Sequence, residues 1–369
     1  MERPQARPNL PALTSLRFFA AFVVVAFHYN PDRFVNMPEF FRSWLETGYE
    51  AVTFFFVLSG FIMSYMYSDF GSERPRKINL RAFFVARFAR LAPAFYLALL
   101  IALPFFIGDA FVWEHQPIGE FASQTVLVLT FLQSWWPPAA LAWNPPGWSM
   151  SVEWCLYAAF PLLAAASHRM SGRRMLIISF IAVAVVAGFR LRVMGPLVEE
   201  NPDWHNFAQY FPLFHVPTFY FGMALGRMQL TGPRPSPQVA GWLCLASVVV
   251  LMVKYSGLVQ LPPGPLTTDT VLVLLFGMLI MGAAQAGHFA QRALSWGPGM
   301  FLGEISYSMY ALHEPIAMWW EKFRPDIYET RLPVWVGFPS YFAIVLVVSI
   351  LCYYYVETPL RRRIRRWAG

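Results

Sequence analysis

Arg17 and His28 stand eleven residues apart in the stretch LRFFAAFVVVAFHY, with only Phe, Ala and Val between them. At about 3.6 residues per turn this is close to three turns, so on a helix the two side chains project from nearly the same side. At ~1.5 Å per residue they lie roughly 16 Å apart along the axis. If that helix crosses a bilayer whose hydrocarbon is roughly 30 Å thick, the two polar groups sit at different depths on one face. Such an arrangement points to a pathway or a site rather than to an anchor.

Other ionisable residues interrupt apolar segments in the same way. Glu153 lies near the start of the run that opens at Trp148, and His313 shares a helical face with Ser306 and Tyr310 at i, i+4 and i+7. Arg87 and Arg90 share a face at i, i+3, and Arg81 lies just before them. Arginine forks suit phosphate, so Arg17, Arg87 and Arg90 near one membrane surface could hold a phosphorylated cofactor. Structural roles compete with each of these readings. A histidine at a span end also suits the interface, and arginines at cytoplasmic ends also snorkel to headgroups. Glu153 could be solvated, and the stripe of His313 could serve contacts between helices. A Gly-rich phosphate loop, an HExxH motif and paired Cys/His clusters are absent, so no metal is expected. Cys155, Cys244 and Cys352 are scattered, which argues against a disulfide framework.

The elements that carry these residues follow from composition. Of 369 residues, 57% are hydrophobic and only 13% charged, and the mean hydropathy is +0.44. Soluble domains carry about 25% charged residues, so the chain reads as an all-α, polytopic membrane protein. The formal charge of +7 does not point to nucleic acid, because the cations cluster between apolar runs and in the tail RRRIRR. Apolar runs near 12–29, 50–68, 83–107, 148–167, 174–193, 208–227, 238–255, 268–287, 299–320 and 334–356 predict ten transmembrane helices.

Loop charge orients them. Arg74, Arg76, Lys77 and Arg81, then Arg169, Arg173 and Arg174, then Arg227 and Arg234 belong inside with both termini. The loop 108–120 has acidic residues and no Lys or Arg, and is placed outside; Arg190, Arg192 and the mixed segment 321–331 fit less cleanly. An even number of crossings leaves 121–147, rich in Pro and Trp, as a re-entrant or interfacial excursion on the outer side. His28, Glu153 and His313 then fall in the outer half, and Arg17, Arg87 and Arg90 near the inner surface.

Seven stretches in order resemble the membrane-bound acyltransferase 3 family, which includes bacterial O-acetylases of cell-envelope sugars. They are LTSLRFFAAFVVVAFHY with Arg17-x10-His28, AVTFFFVLSGFIMSY, the RxxR of Arg87 to Arg90 followed by Pro93, and WSMSVEWCLYAAFP. FHVPTFYFGMALGR, ISYSMYALHEPI and VETP complete the series, so the resemblance covers essentially the whole chain. The family's common Asp-Gly before Leu-Arg is Thr14-Ser15 here, and Phe18 stands where Gly often follows the arginine. The resemblance implies one transmembrane acyltransferase domain over 1–369 with no appended soluble domain, in a bacterial inner membrane with cytoplasmic termini. It implies transfer of an acyl group, usually acetyl from acetyl-CoA, to a hydroxyl of a glycan or lipid-linked sugar. Arg17, Arg87 and Arg90 would engage CoA phosphates, with the pantetheine arm threading toward His28. His28 would serve as general base or acyl relay, Glu153 would orient or charge-balance a histidine, and His313 would be a second acid/base or a hydrogen-bonding partner. A non-acetyl donor and a small-molecule acceptor stay open. The rival class is a proton-coupled transporter or glycan exporter, which would also bury ionisable residues; no inverted repeat between the halves supports it.

Overall fold

A computed structural model of the chain describes residues 9–29, 48–67, 78–232, 235–256, 265–285, 294–323 and 334–368. Among these residues the regular elements are helices. They are α1 Pro11–His28, α2 Ala51–Tyr67, α3 Leu80–Gly108, α4 Ile118–Leu129, α5 Trp148–Ala166, α6 Gly172–Phe189 and α7 Gly195–Glu200. There follow α8 Pro202–Tyr210, α9 Val216–Thr231, α10 Pro237–Tyr255, α11 Pro265–Gln285, α12 Gly297–Phe323, α13 Val334–Cys352 and α14 Thr358–Ala368. The loop cations Arg74, Arg76, Lys77 and Arg234 lie outside the described residues.

Among the described residues, seven segments are long and apolar enough to cross a membrane, those built on α1, α2, α3, α5, α6, α10 and α13. The other three expected spans are also helices. α9 has only 16 residues, α11 is apolar over Asp269–Gln285, and the 27 residues of α12 include Glu304, Glu314, Glu321 and Lys322. The expected span 208–227 starts later than its hydropathy suggests. Phe211, before Pro212, is extended (φ −64°, ψ 123°), a 3-10 turn follows at Pro212–His215, and the long helix opens at Val216 with Pro217 in its first turn. Residues preceding proline are disfavoured in the helical region, and proline suits the first turn of a helix.

Contacts across helix pairs fix their directions. Gly60 of α2 lies against Phe219 of α9, and further along both helices Phe61 lies against Gly226, so these two run parallel. Tyr307 bonds the Leu91 carbonyl and Trp319 the Ile101 carbonyl, so α3 and α12 run parallel. Tyr353 reaches Glu304 while Tyr341 reaches the His313 carbonyl, so α13 returns antiparallel to α12. These directions are the ones that alternating spans require.

Several helix pairs among the described residues approach closely enough to exclude side chains. A methyl on Gly60 would overlap the Phe219 carbonyl oxygen, and one on Gly222 would overlap that of Val57. Gly303 of α12 meets the Thr14 carbonyl of α1 in the same way. Backbone-to-backbone packing of this kind replaces the hydrophobic driving force that lipid removes. Around it, Phe61, Phe95, Phe160, Phe219 and Tyr341 are fully buried.

The excursion expected over 121–147 consists of most of α4 and the turns that follow it. The 12-residue α4, about 18 Å long, is too short to cross. After it, 3-10 turns at Gln133–Trp135, Pro137–Ala139 and Pro145–Gly147 fold down onto α5. Gln133 donates to the Gly147 carbonyl at 2.8 Å, Ser134 to that of Trp148 at 2.9 Å, and Ser151 to that of Phe131 at 2.7 Å. Two of the cations that were counted as loop charges have structural partners instead. Arg227, buried in α9, donates to the Ser167 and His168 carbonyls at the end of α5. Arg190 pairs with Asp269 and donates to Gln209, which removes its conflict with an outer position.

Gly222→Ala is expected to lower the melting temperature of the detergent-purified protein, by an overpacking cost of about 1–3 kcal/mol. Gly188→Ala in α6 has open space at its Cβ position. It is expected to be neutral or stabilising by up to ~1 kcal/mol in the same thermal scan.

Candidate active site

A cavity of about 640 Å³ enters the bundle between α1, α2, α3, α5 and α12. Exposed Asn9, Met66 and Arg365 lie at its mouth, and buried Ser149 and Tyr310 at its deep end. Arg17, Arg87 and Arg90 all line it, as the sequence spacing predicts. Their surroundings differ. Arg90 is ion-paired with Glu357, a fully buried carboxylate that also accepts from Ser308 at 2.7 Å and lies 3.6 Å from Arg361. Its guanidinium sits over the Tyr307 ring, 5.0 Å from the centroid. Arg87 donates to the Tyr67 hydroxyl at 3.1 Å and lies within 6 Å of the Tyr67, Phe83 and Tyr157 ring centres. Arg17 has no hydrogen-bond or ion-pair partner among the described residues, so its donors are free to meet an anion entering the cavity.

Glu153 lines the same cavity. Its carboxylate accepts from Ser59 at 3.1 Å and from Tyr157. The expectation that Glu153 shares the level of the histidines is therefore corrected: it sits with the arginines. The reason is the excursion, which covers the start of α5 and leaves Ser149 and Ser151 only 4% and 0% exposed. Depth counted from Trp148 as a surface residue underestimates how far into the bundle Glu153 lies.

His28 and His313, expected at one level, lie side by side. Their ring centroids are 4.8 Å apart, and they lie just beyond the deep end of the cavity. There the Tyr310 ring is 5.7 Å from His313, and the Tyr310 hydroxyl is 2.7 Å from Ser149. His28 Nδ1 bonds the Val24 carbonyl at 2.9 Å, and His313 Nδ1 bonds the Tyr310 carbonyl at 2.7 Å. A carbonyl only accepts, so both Nδ1 atoms carry hydrogen, and each neutral ring presents a lone pair at Nε2.

The local fold around His313 depends on Pro315. Proline cannot donate to the carbonyl four residues back, which here is Ala311. Asn144 of the excursion donates to that carbonyl instead, at 3.3 Å. Tyr341 of α13 bonds the His313 carbonyl at 2.9 Å. The Tyr310 carbonyl thus sets the tautomer of His313, and the backbone that carries it is held from the excursion and from α13.

Spacing in the sequence misses Glu357, Tyr157 and Glu314. Glu357 stands in VETP and Glu314 directly after His313, so both are visible as residues. Nothing local reveals that Glu357 meets Arg90, or that an oxygen of Glu314 lies with the ring nitrogens of His28 and His313, all within 4.8 Å of one another. Those three groups could also hold a metal ion by type, although none was expected.

Over residues 10–354 the chain matches a family described as an acyltransferase domain. It is similar to the acyltransferase MdmB of Streptomyces mycarofaciens, 29% identical over 321 residues that cover 83% of this chain and 78% of that protein. It is similar to the peptidoglycan O-acetyltransferase OatA of Listeria monocytogenes, 20% identical over 375 residues, or 97% of this chain and 56% of that protein. It is also similar to the O-acetyltransferase OatA of Staphylococcus aureus, 22% identical over 389 residues, 98% of this chain and 59% of that protein. The chain thus spans little more than half the length of the OatA proteins. No solved structure matches it. Because the family match begins just before α1 and ends in the turn after α13, it takes in Arg17, Arg87, Arg90, Glu153, His28 and His313, and the chain belongs to the acyltransferase 3 family.

Proposed function

We propose that this membrane protein is an O-acyltransferase of a cell-envelope or exported glycan, with acetyl-CoA supplied from the cytoplasmic side as donor. One observation carries the reading: an arginine-lined cavity whose closed end abuts two histidines, in a chain of an acyltransferase family. The mouth lies among the start of α1, the end of α2 and the arginine-rich α14, the ends assigned to the cytoplasm by loop charge. Arg17 binds donor phosphate, with Arg87 beside it. The wall of Phe55, Leu58, Ile62 and Met63 suits the uncharged arm that carries the thioester. The relatives named as O-acetyltransferases favour acetyl, and the one named for peptidoglycan favours an envelope glycan.

In the reaction, the hydroxyl proton of the acceptor passes to Nε2 of His28 as the hydroxyl oxygen bonds to the thioester carbonyl carbon. The carbon–sulfur bond then breaks, and the imidazolium returns the proton to the departing sulfur. Once Nε2 of His28 carries the proton, the lone pair on Nε2 of His313 faces it and supports the charge. Placing the histidines toward the outer face lets a cytoplasmic donor serve an acceptor on the far side. Glu153, held by Ser59 and Tyr157 among the arginines, balances their charge.

Purified protein given radiolabelled acetyl-CoA and cell-envelope glycan extract is expected to label the glycan. His28→Ala is expected to cut that transfer by about 10²–10⁴-fold with the protein still inserted; full turnover would remove His28 from the mechanism. No acyl-CoA binding and no label with any donor would favour a transporter. The arginines are expected to divide by role. Arg17→Ala should raise the donor KM by roughly 10-fold or more with an unchanged melting temperature, because a lost hydrogen bond to a charged group is worth about 1.5–3 kcal/mol. Arg90→Ala should destabilise the fold by about 3–5 kcal/mol, because it strands buried Glu357.

A further inference from the structure

The histidine pair is surrounded by acceptors. Both Nδ1 hydrogens are used on backbone carbonyls, so the two Nε2 atoms face the site as lone pairs. His313 is fully buried, and its Nε2 has no hydrogen-bond partner among the described residues. The third member of the group is Glu314, whose Oε2 is likewise buried without a partner among them. Three electron-pair donors converging in an apolar bundle are stable only when a positive charge or a proton comes between them. Acyl transfer delivers one, because the hydroxyl proton must rest on an imidazole while the ester forms.

Resting on the acyltransferase reading above, we propose that Glu314 is the carboxylate partner of the His28–His313 pair and balances the charge that proton transfer places on it. Glu314 is a positioning residue and touches neither donor nor acceptor. The proton taken from the acceptor hydroxyl sits on one Nε2 and faces the other Nε2 and the Glu314 carboxylate. It leaves with the thiol, and no further reactant is consumed. The role that the family resemblance gives to Glu153 thereby falls to Glu314, because Glu153 is engaged by Ser59 and Tyr157 at the cavity wall. A metal ion is the competing occupant. In a tetrahedral zinc site with bonds of about 2.05 Å, neighbouring ligand atoms stand about 3.3 Å apart. The three ligand atoms here lie within 4.8 Å of one another, so metal content decides between the two occupants.

The test compares wild type, Glu314→Gln and Glu314→Asp in acetyl-CoA-dependent labelling of glycan extract, with acetyl-CoA binding, melting temperature and metal content measured on the same preparations. Glu314→Gln is expected to lower kcat by about 10²-fold or more while leaving acetyl-CoA binding and melting temperature unchanged. Glu314→Asp is expected to recover part of the loss. The rate–pH profile adds a reading that a packing defect would not move. The titratable groups around the pair are Tyr29 on α1, Tyr310, Glu314 and Glu321 on α12, and Tyr341 on α13. Tyrosine ordinarily titrates near pH ~10, so the acidic limb reports the histidines and the carboxylates. Losing a neighbouring negative charge makes an imidazole easier to deprotonate, so that limb should move to lower pH in Glu314→Gln. Unchanged kcat and an unchanged limb in Glu314→Gln would overturn the proposal while leaving the acyltransferase reading intact. A loss of kcat matched by a fall in melting temperature in both variants would overturn it in favour of a packing role. About one equivalent of zinc in wild type that is lost in Glu314→Gln would overturn it in favour of a metal site. No transfer by wild type with any acyl-CoA would overturn the donor reading, and this inference with it.

Discussion

The ion pair between Arg90 and Glu357 joins residues 267 positions apart in the sequence, within a bundle where neither charge could stand alone. Glu357 follows α13 in the turn that leads to the arginine-rich α14, and Arg90 belongs to α3, on which α14 packs. Ser308 of α12 takes the second carboxylate oxygen, so three distant segments close on one buried charge. A buried pair gives little net stability relative to apolar packing, but breaking it leaves a charge without solvent. The pair therefore fixes where α14 lies against the cavity mouth, and with it the approach to Arg17. A bundle without this clamp would have the same hydropathy and no defined entrance.

From that clamp the cavity gains an internal order. Arg90 is consumed by Glu357, Arg87 is held among aromatic rings and the Tyr67 hydroxyl, and Arg17 alone of the three keeps its donors unassigned among the described residues. Three cations that look alike in the sequence thus differ in the work they can do. At the far end the histidines are held by backbone carbonyls, by Pro315 and by Asn144, which satisfies a carbonyl the proline leaves open. Preorganisation of this kind comes from a helix defect repaired from another segment. That is why an excursion too short to cross the membrane matters to a site built on long helices.

The membership in an acyltransferase family and the geometry support each other at different scales. The family match covers the helices but assigns no depth to any side chain. The cavity and the histidine pair supply the depths, and they separate a region suited to phosphate from one suited to moving a proton. The second charged cluster, Glu50 with Lys254 and Arg190 with Asp269, ties α2, α6, α10 and α11 together at the opposite end of the bundle from α14. It leaves the arginines of the cavity as the cations that face an internal space.

What was legible in the sequence is what is local in it. Hydropathy over about twenty residues reveals the apolar helices, because helix formation in lipid is decided segment by segment. The period of 3.6 puts Arg17 and His28 on one face of α1, and both do face the interior region of the site. The shared level of His28 and His313 was also accessible, because topology counts depth along each helix. Glu153 was misplaced because residues 130–147 fold down over α5 and bury the position from which its depth was counted. The late start of α9 turned on Pro212 and Pro217, whose backbone limits outweigh hydropathy. Glu357 and Glu314 carry no local sign of their partners, since a pairing between distant helices depends on rotation and depth that no single segment encodes. The sequence by itself determined a membrane bundle with cations at one level and histidines at another. Only the tertiary structure decided which cation stays free, which carboxylate meets the histidines, and where the cavity opens, because each of these is a contact between segments that lipid-scale hydrophobicity leaves unspecified.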